Sequence, residues 1–389
     1  MTGETDRKKV VVLGCGLVGS VLVQDLAAGG EFDVTAVDQD QAALERLPAL
    51  PHLTRRQADL SNTAAIVPIL TQADLAAGAV PGFLGSALLT AAVEARCPIA
   101  DISFAPETPA ELDAQARERG VSVIMDCGVA PGLSNLLVGH EVADLDDVAD
   151  VEILVGGLPV QRDWPFEYRF LFSPTDVIEE YTRPCRLREN GTERVVPALS
   201  GIESVEFPEV GTLEAFNTDG LRTLLQTIPG PSLREKTLRY PGHAEKMRLL
   251  RECGFFDSNP LRLADDIEVS PRQITEQLLG RVLRREPHHE ELTLLRVVVE
   301  GTRTGRHRRT VWDLIDRTDP VTGWTSMART TAFPCAEAVR LLARGDWQRP
   351  GVCAPEALGA DSDVFTQMLA SLESRGVKLT CRRAEVETN

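Results

Sequence analysis

A chain of 389 residues is longer than one ordinary core requires and predicts two domains, each large enough to bury most of its apolar surface. With 43% hydrophobic and 25% charged residues it is globular, not disordered or fibrous. A formal charge of −17 opposes nucleic acid and anionic membrane surfaces, so the expected partners are small molecules, with no nucleic acid and no membrane. The eight cysteines show no C-x-x-C pair and no regular spacing, which predicts reduced thiols in a cytoplasmic location and no zinc site. The polar start, 1–9, has no signal-peptide pattern, and no run approaches the roughly 18 apolar residues of a membrane span.

The chain is organised around its first forty residues. Lys9-Val-Val-Val-Leu13 is an apolar run, Gly14-x-Gly16-x-x-Gly19 follows it, and apolar residues then recur at helical spacing to Leu26. This reads as strand, tight turn and helix. Gly14 permits the turn, Gly16 lets the backbone approach a pyrophosphate, and Gly19 lets the helix pack close to the strand, while the amides of Leu17 and Val18 open the helix toward the phosphates. A second strand, 32–37, ends on Asp38, nineteen residues past Gly19, where a carboxylate can hydrogen-bond the adenosine ribose. Its charge would repel a 2′-phosphate, and neither Gln39 nor Asp40 supplies an arginine to bind one. The expected cofactor is therefore NAD, in preference to NADP.

A helix at 41–46 leads to a third strand at 53–57 and to Asp59 and Leu60, candidate adenine contacts, with helix capping by Asp59 or Ser61 as the alternative. The fourth strand, 74–80, breaks at Pro81-Gly82, and the loop 79–85, with Val80 and Pro81, is expected beside the nicotinamide ribose. A helix at 86–95, a strand at 98–104 carrying Asp101, a helix at 109–119, a strand at 121–126 and a helix at 133–142 continue the alternation. Unbroken βα alternation predicts an α/β fold with a doubly wound parallel sheet. Asp101 and Cys127 fall at or just after the carboxyl ends of successive strands, where open α/β sheets bind ligands.

From about residue 149 the pattern changes to α+β. Strands are expected at 151–155, 165–172 and 194–198, a hairpin from 292–301 and 308–315, and helices at 218–226, 243–253 and 271–284. A long helix over 325–342 is expected to return to the first domain. The resulting division is 1–147 for dinucleotide binding, 148–322 for substrate binding and dimerisation, and 323–389 for the returning segment. His288-His289-Glu290-Glu291 lacks a third ligand at a useful spacing and reads as a solvated loop, so no metal is expected.

Asp126-Cys-Gly-Val-Ala-Pro-Gly-Leu-Ser-Asn135, Gly156-Gly-Leu-Pro159, Glu180-Tyr-Thr-Arg-Pro184, Thr218-Asp-Gly-Leu-Arg222 and Thr237-Leu-Arg-Tyr-Pro-Gly242 resemble the saccharopine dehydrogenase family, and within it the lysine 6-dehydrogenase branch. The resemblance implies a Rossmann-type domain split by an inserted substrate and dimerisation domain, a homodimer, and NAD(P)-dependent hydride transfer at an amine carbon of an amino-acid substrate. It also implies that Arg239 holds a substrate carboxylate, since guanidinium grips carboxylate through two parallel hydrogen bonds, with a surface or structural ion pair as the alternative. Asp101 is the candidate to hold the substrate ammonium or take its proton, and Cys127 to line the reaction centre or pack as a small apolar residue. His243, opening a helix, is a candidate general base or a packed cap. Tyr168 is a candidate substrate contact or core residue. The expected reaction is oxidation at the ε-amine of lysine, with saccharopine or another secondary amine, or a non-catalytic NAD sensor, as alternatives.

Overall fold

A computed structural model describes residues 7–105, 112–263, 267–286 and 289–387. The chain divides into two compact units, one of Met1–Ala143 with Ala328–Lys378 and the other of Asp144–Met327 with Leu379–Asn389. Among the described residues no helix is long and apolar enough to cross a membrane.

The first unit alternates strand and helix: β1 Lys8–Leu13, α1 Leu17–Ala28, β2 Phe32–Asp38, α2 Gln41–Arg46, β3 Leu53–Gln57, α3 Thr63–Leu70, β4 Leu75–Gly78, α4 Gly82–Glu94, β5 Ile99–Asp101, α5 Leu112–Arg119, β6 Ser122–Ile124 and α6 Leu133–Ala143. Residues 109–111 of the helix expected at 109–119 lie outside the described residues. Val10, Val12 and Leu13 are fully buried, as a parallel strand covered on both faces requires. Asp40 and Asn62 start α2 and α3 by accepting the amides of Ala42 and Ala64.

The second unit contains β7 Asp147–Pro159, α7 Pro174–Thr182, β8 Cys185–Glu189, β9 Thr192–Val196, β10 Glu203–Phe207, β11 Gly211–Asn217, α8 Leu224–Thr227, β12 Leu233–Arg239, α9 His243–Glu252, β13 Leu261–Arg262, β14 Glu268–Val269, α10 Pro271–Val282, β15 Glu291–Arg303 and β16 Arg306–Arg317. Strands β15 and β16 form the expected hairpin. Gly156 and Gly157 in β7 allow close packing, since a Cβ would come within 2.5 Å of Leu238 O at one and 2.6 Å of Leu171 Cδ1 at the other.

The chain then returns through α11 Ser326–Arg344, β17 Gly351–Cys353, α12 Pro355–Gly359, α13 Ser362–Ser374 and β18 Leu379–Glu387. Strand β17 completes the first sheet, whose order is β17-β6-β5-β4-β1-β2-β3 with every neighbouring pair parallel. The order reverses between β1 and β4, which is the switch point where such sheets bind ligands. The second sheet runs β10-β11-β12-β7-β15-β16-β18, with β8 branching from β12 and β9 pairing β8, parallel at β12 with β7 and antiparallel elsewhere.

Three expectations are corrected. Residues 165–172, which alternate apolar and polar side chains from Phe166 to Phe170, form no strand: Tyr168 and Phe170 enter the core while Phe170 N–H donates to Leu283 O. The expected helix at 218–226 shrinks to α8, because Thr218 and Gly220 bond to the Glu235 carboxylate and Arg222 adopts φ +54°. Residues 379–387, expected to go with the first domain, pair with β16 in the second sheet.

Candidate functional site

In the first unit the three glycines differ as a phosphate-binding turn requires. At Gly14, with φ +99°, a Cβ would lie 2.3 Å from Ala79 O, and at Gly19 it would lie 2.0 Å from Gly14 O. These two pack. At Gly16 a Cβ would meet nothing within 4 Å, so this glycine faces open space. No side chain caps α1 at Gly16, which leaves the first-turn amides of exposed Leu17 and half-buried Val18 for an anion. Asp38 stands beside them at the end of β2, its carboxylate fixed by the Cys15 amide on Oδ2 (2.6 Å) and the Asp40 amide on Oδ1 (2.8 Å). An uncapped helix end, an open glycine and a fixed carboxylate fit a dinucleotide.

The other cofactor candidates separate. Pro81 is exposed at the start of α4, whereas Val80 and Leu60 belong to the apolar core, so Leu60 is corrected from an adenine contact to a packing residue. Asp59 accepts both the amide (2.9 Å) and the hydroxyl (2.7 Å) of Ser61, which holds its carboxyl below the usual range, and the cap of α3 is Asn62. A cavity of about 510 Å³ in this unit lies elsewhere, at the amino-terminal ends of the strands beside Lys9, Asp33, His52 and Arg56. It is at the wrong end of β1 and β2 for the dinucleotide.

Asp101 ends β5 and is 1% exposed, with Ser103 donating its hydroxyl to Oδ1 (2.9 Å) and its amide to Oδ2 (3.1 Å). Only glycine leaves room at position 78, where a Cβ would lie 1.9 Å from Asp101 Oδ1. The Cys127 amide donates to Asp101 O (2.8 Å), bringing the two candidates side by side. The Cys127 thiol is buried against the carbonyls of Ile124 and Met125, and burial pushes its pKa well above the ordinary value, with Cys335 and Asp101 adding to the shift. Of the two expectations for Cys127, the buried, protonated thiol fits a small packed residue.

In the second unit Arg239, Tyr168 and His243 converge. Arg239 closes β12 and is 2% exposed; its Nη2 pairs with Glu180 Oε2 (2.5 Å), its Nη1 donates to Leu238 O (2.9 Å), and its guanidinium lies over the Tyr168 ring at 4.3 Å from the centroid. Burial alone would lower the Arg239 pKa, but Tyr168, Glu180 and Tyr181 more than offset it, so the cation persists. Two donors here lack partners, Arg239 Nε and the Tyr168 hydroxyl. Each such buried orphan costs about 1–3 kcal/mol, so a water or a ligand group that accepts from these two donors is stabilised here.

His243 is corrected as a general base. Phe166 O can only accept, so Nδ1 (2.9 Å away) carries the proton and donates, leaving Nε2 to accept from the Tyr181 hydroxyl, also at 2.9 Å. Both nitrogens are taken. Burial, reinforced by the Arg239 charge, brings its pKa down to about 3. The histidine positions Tyr181, which in turn lies against Arg239.

Glu180 and Tyr181 belong to the Glu180–Pro184 motif, and their roles follow only from the structure, as does that of Glu235. Glu235 shares alternate positions of β12 with Thr237 and Arg239, accepts from the Thr218 hydroxyl (2.6 Å) and the Gly220 amide (3.1 Å), and is pushed by burial up to about 8. An acidic residue inside a strand was the available signal. Of the histidine pair, His288 lies outside the described residues and His289 Nδ1 accepts the Glu286 amide (2.9 Å).

Comparison with known proteins identifies the family. Residues 10–124 match the family described as saccharopine dehydrogenase NADP binding domain, and residues 128–377 the saccharopine dehydrogenase C-terminal domain. The first unit is accordingly a pyridine-nucleotide-binding domain. Relatives include the mitochondrial alpha-aminoadipic semialdehyde synthase of Bos taurus, 24% identical over 96% of this chain and 48% of that protein, and the carboxynorspermidine synthase of Vibrio cholerae, 22% identical over 90% of this chain and 92% of that protein. The chain thus spans about half the length of the former and nearly all of the latter. Apo saccharopine dehydrogenase (L-Glu forming) of Saccharomyces cerevisiae shares the fold with a TM-score of 0.78 at 18% identity, covering 97% of this chain and 100% of that one. With the two domain matches spanning nearly its whole length, the chain belongs to the saccharopine dehydrogenase family.

Proposed function

We propose that the protein is an NAD-dependent amino-acid dehydrogenase that oxidatively deaminates the ε-amine of L-lysine to the 6-semialdehyde. The observation that carries this reading is the buried Arg239 cation, whose Nε has no partner and lies near the unpartnered Tyr168 hydroxyl. Arg169, by contrast, is spent on Asp163 (2.7 Å) and on the carbonyls of Val282 and Arg284. One clamp suits a substrate with one carboxylate, and saccharopine, with three, would want more. The motif resemblance to the lysine 6-dehydrogenase branch points the same way.

In this reading the α1 amides and Gly16 would hold the pyrophosphate and Asp38 the adenosine ribose. The cofactor, when bound, supplies the hydride acceptor. Arg239 grips the α-carboxylate, Tyr181 and His243 keep Arg239 in place, and Asp101 is the carboxylate assigned to the substrate amine or its proton. Hydride leaves only a neutral amine. A free lysine amine titrates near pH 10.4, so the rate is expected to climb toward alkaline pH.

The second reading, oxidoreduction of a secondary amine, draws support from relatives named for saccharopine and carboxynorspermidine. Assay of the purified protein against lysine, ornithine, saccharopine and carboxynorspermidine with NAD and NADP separates the two. With ε-15N-lysine, release of labelled ammonia together with NADH is expected. Loss of the α-nitrogen, or turnover of secondary amines alone, would sink the lysine reading.

A further inference from the structure

The Arg239–Glu180 pair is unequal in its exposure. Arg239 is 2% exposed in its side chain and Glu180 24%, so only the carboxylate end of the pair reaches water. Arg239 Nε and the Tyr168 hydroxyl, both buried and both donors, have no acceptor. The guanidinium lies on the face of the same tyrosine, so these donors belong to one small region. A positive charge, a neighbouring negative charge and two unused donors are what a ligand entering here would meet.

A simple carboxylate would satisfy the two donors and Arg239 but would stand against the Glu180 charge. A simple amine would pair with Glu180 and stand against Arg239. A ligand carrying both charges on one carbon meets neither objection: its carboxylate takes the donors of Arg239 and Tyr168, and its ammonium replaces Arg239 as the partner of Glu180. We propose that Arg239, Tyr168 and Glu180 form a subsite for the zwitterionic α-amino-acid end of the substrate, with Glu180 binding the α-ammonium. This rests on the amino-acid dehydrogenase reading and names the end of the substrate that the second unit holds. Glu180 then sets specificity: ω-amino acids without an α-amine and simple diamines are rejected, although both offer the same reacting amine.

Isothermal titration of the full-length protein, with whichever of NAD or NADP it binds present at saturation, tests this with L-norleucine, hexanoate and hexylamine. Norleucine has both α-charges and lysine's chain length but no ε-amine to oxidise, so binding is read apart from chemistry. Norleucine is expected to bind at least tenfold more tightly than hexanoate or hexylamine. Glu180→Gln should weaken norleucine about tenfold without weakening hexanoate, and Tyr168→Phe should weaken both carboxylates by a similar factor. Equal affinity of the unmodified protein for norleucine and hexanoate overturns the subsite whether or not the variants fold. So does a folded Glu180→Gln that loses both ligands equally. Norleucine binding without lysine oxidation leaves the subsite standing and removes the proposed reaction. Lysine oxidation without discrimination among the three probes does the reverse.

Discussion

His243 ties the second unit's stability to pH. In the unfolded chain its imidazole takes a proton near the ordinary value of 6.5, whereas in the folded protein burial and the Arg239 charge hold the pKa at about 3. Below pH 6.5 the unfolded state therefore binds a proton that the folded state refuses. The contribution to stability is complete above pH 6.5 and is lost as the pH falls toward 3. At pH 5 the loss is about 2 kcal/mol, growing by about 1.4 kcal/mol per pH unit until the folded form also titrates. Replacing His243 by Gln retains a donor for Phe166 O and an acceptor for Tyr181 without a titrating group. Urea unfolding from pH 7.5 to pH 4.5 isolates the effect as the difference in slope between the two proteins, since carboxylates common to both cancel. The variant should start less stable and lose less on acidification. Parallel profiles, or a His243 ring resonance titrating near pH 6.5 in the folded protein, would refute the buried neutral imidazole.

Gly16→Ala should leave the unfolding midpoint unchanged while weakening dinucleotide binding at least tenfold by fluorescence titration, whereas Gly19→Ala, whose Cβ would lie 2.0 Å from Gly14 O, should destabilise by more than 2 kcal/mol on the overpacking scale of about 1–3 kcal/mol; equal effects would remove the distinction between open and packed glycines. Asp38→Ser combined with Gln39→Arg should move preference from NADH toward NADPH, and tighter NADPH binding by the unmodified protein would show the reading of Asp38 to be wrong. Cys127→Ala should keep kcat within a few-fold and cost about 1 kcal/mol of stability for a buried packing residue, while Asp101→Asn should abolish turnover and retain cofactor; inactivity of Cys127→Ala would restore the thiol to the chemistry. Arg239→Ala should raise KM for lysine by one to two orders of magnitude, from a charged hydrogen bond of roughly 1.5–3 kcal/mol, and should lower stability by leaving Glu180 unpaired.

Features set by near neighbours in sequence were readable in advance. The glycine turn, Asp38, α2, β3 and the β15–β16 hairpin depend on spacing, turn residues and alternation, all local. Arg239 was recognisable from the motif resemblance and His243 as a polar residue at a helix start. Their partners were not, because Glu180 lies 59 residues from Arg239 and Tyr181 lies 62 from His243, and no local pattern records such pairings. The same gap misassigned His243: a free imidazole suits a base, but burial and two hydrogen bonds decide otherwise. Residues 165–172 show the converse failure, since alternation without a neighbouring strand yields a packed loop.

The interrupted path of the chain also sets an order of events during synthesis. Strands β1–β6 emerge first, but α11, whose Cys335 thiol meets the carbonyl of Ala100 on β5, and the edge strand β17 are made only after Asp144–Met327. At about 5–20 residues per second that stretch takes on the order of 10 to 40 s. Throughout this interval β6 offers an unpaired, fully buried-type edge, and β5 lacks its covering helix, the kind of surface that pairs with other nascent chains. A fragment ending at Ala143 would keep that edge exposed permanently.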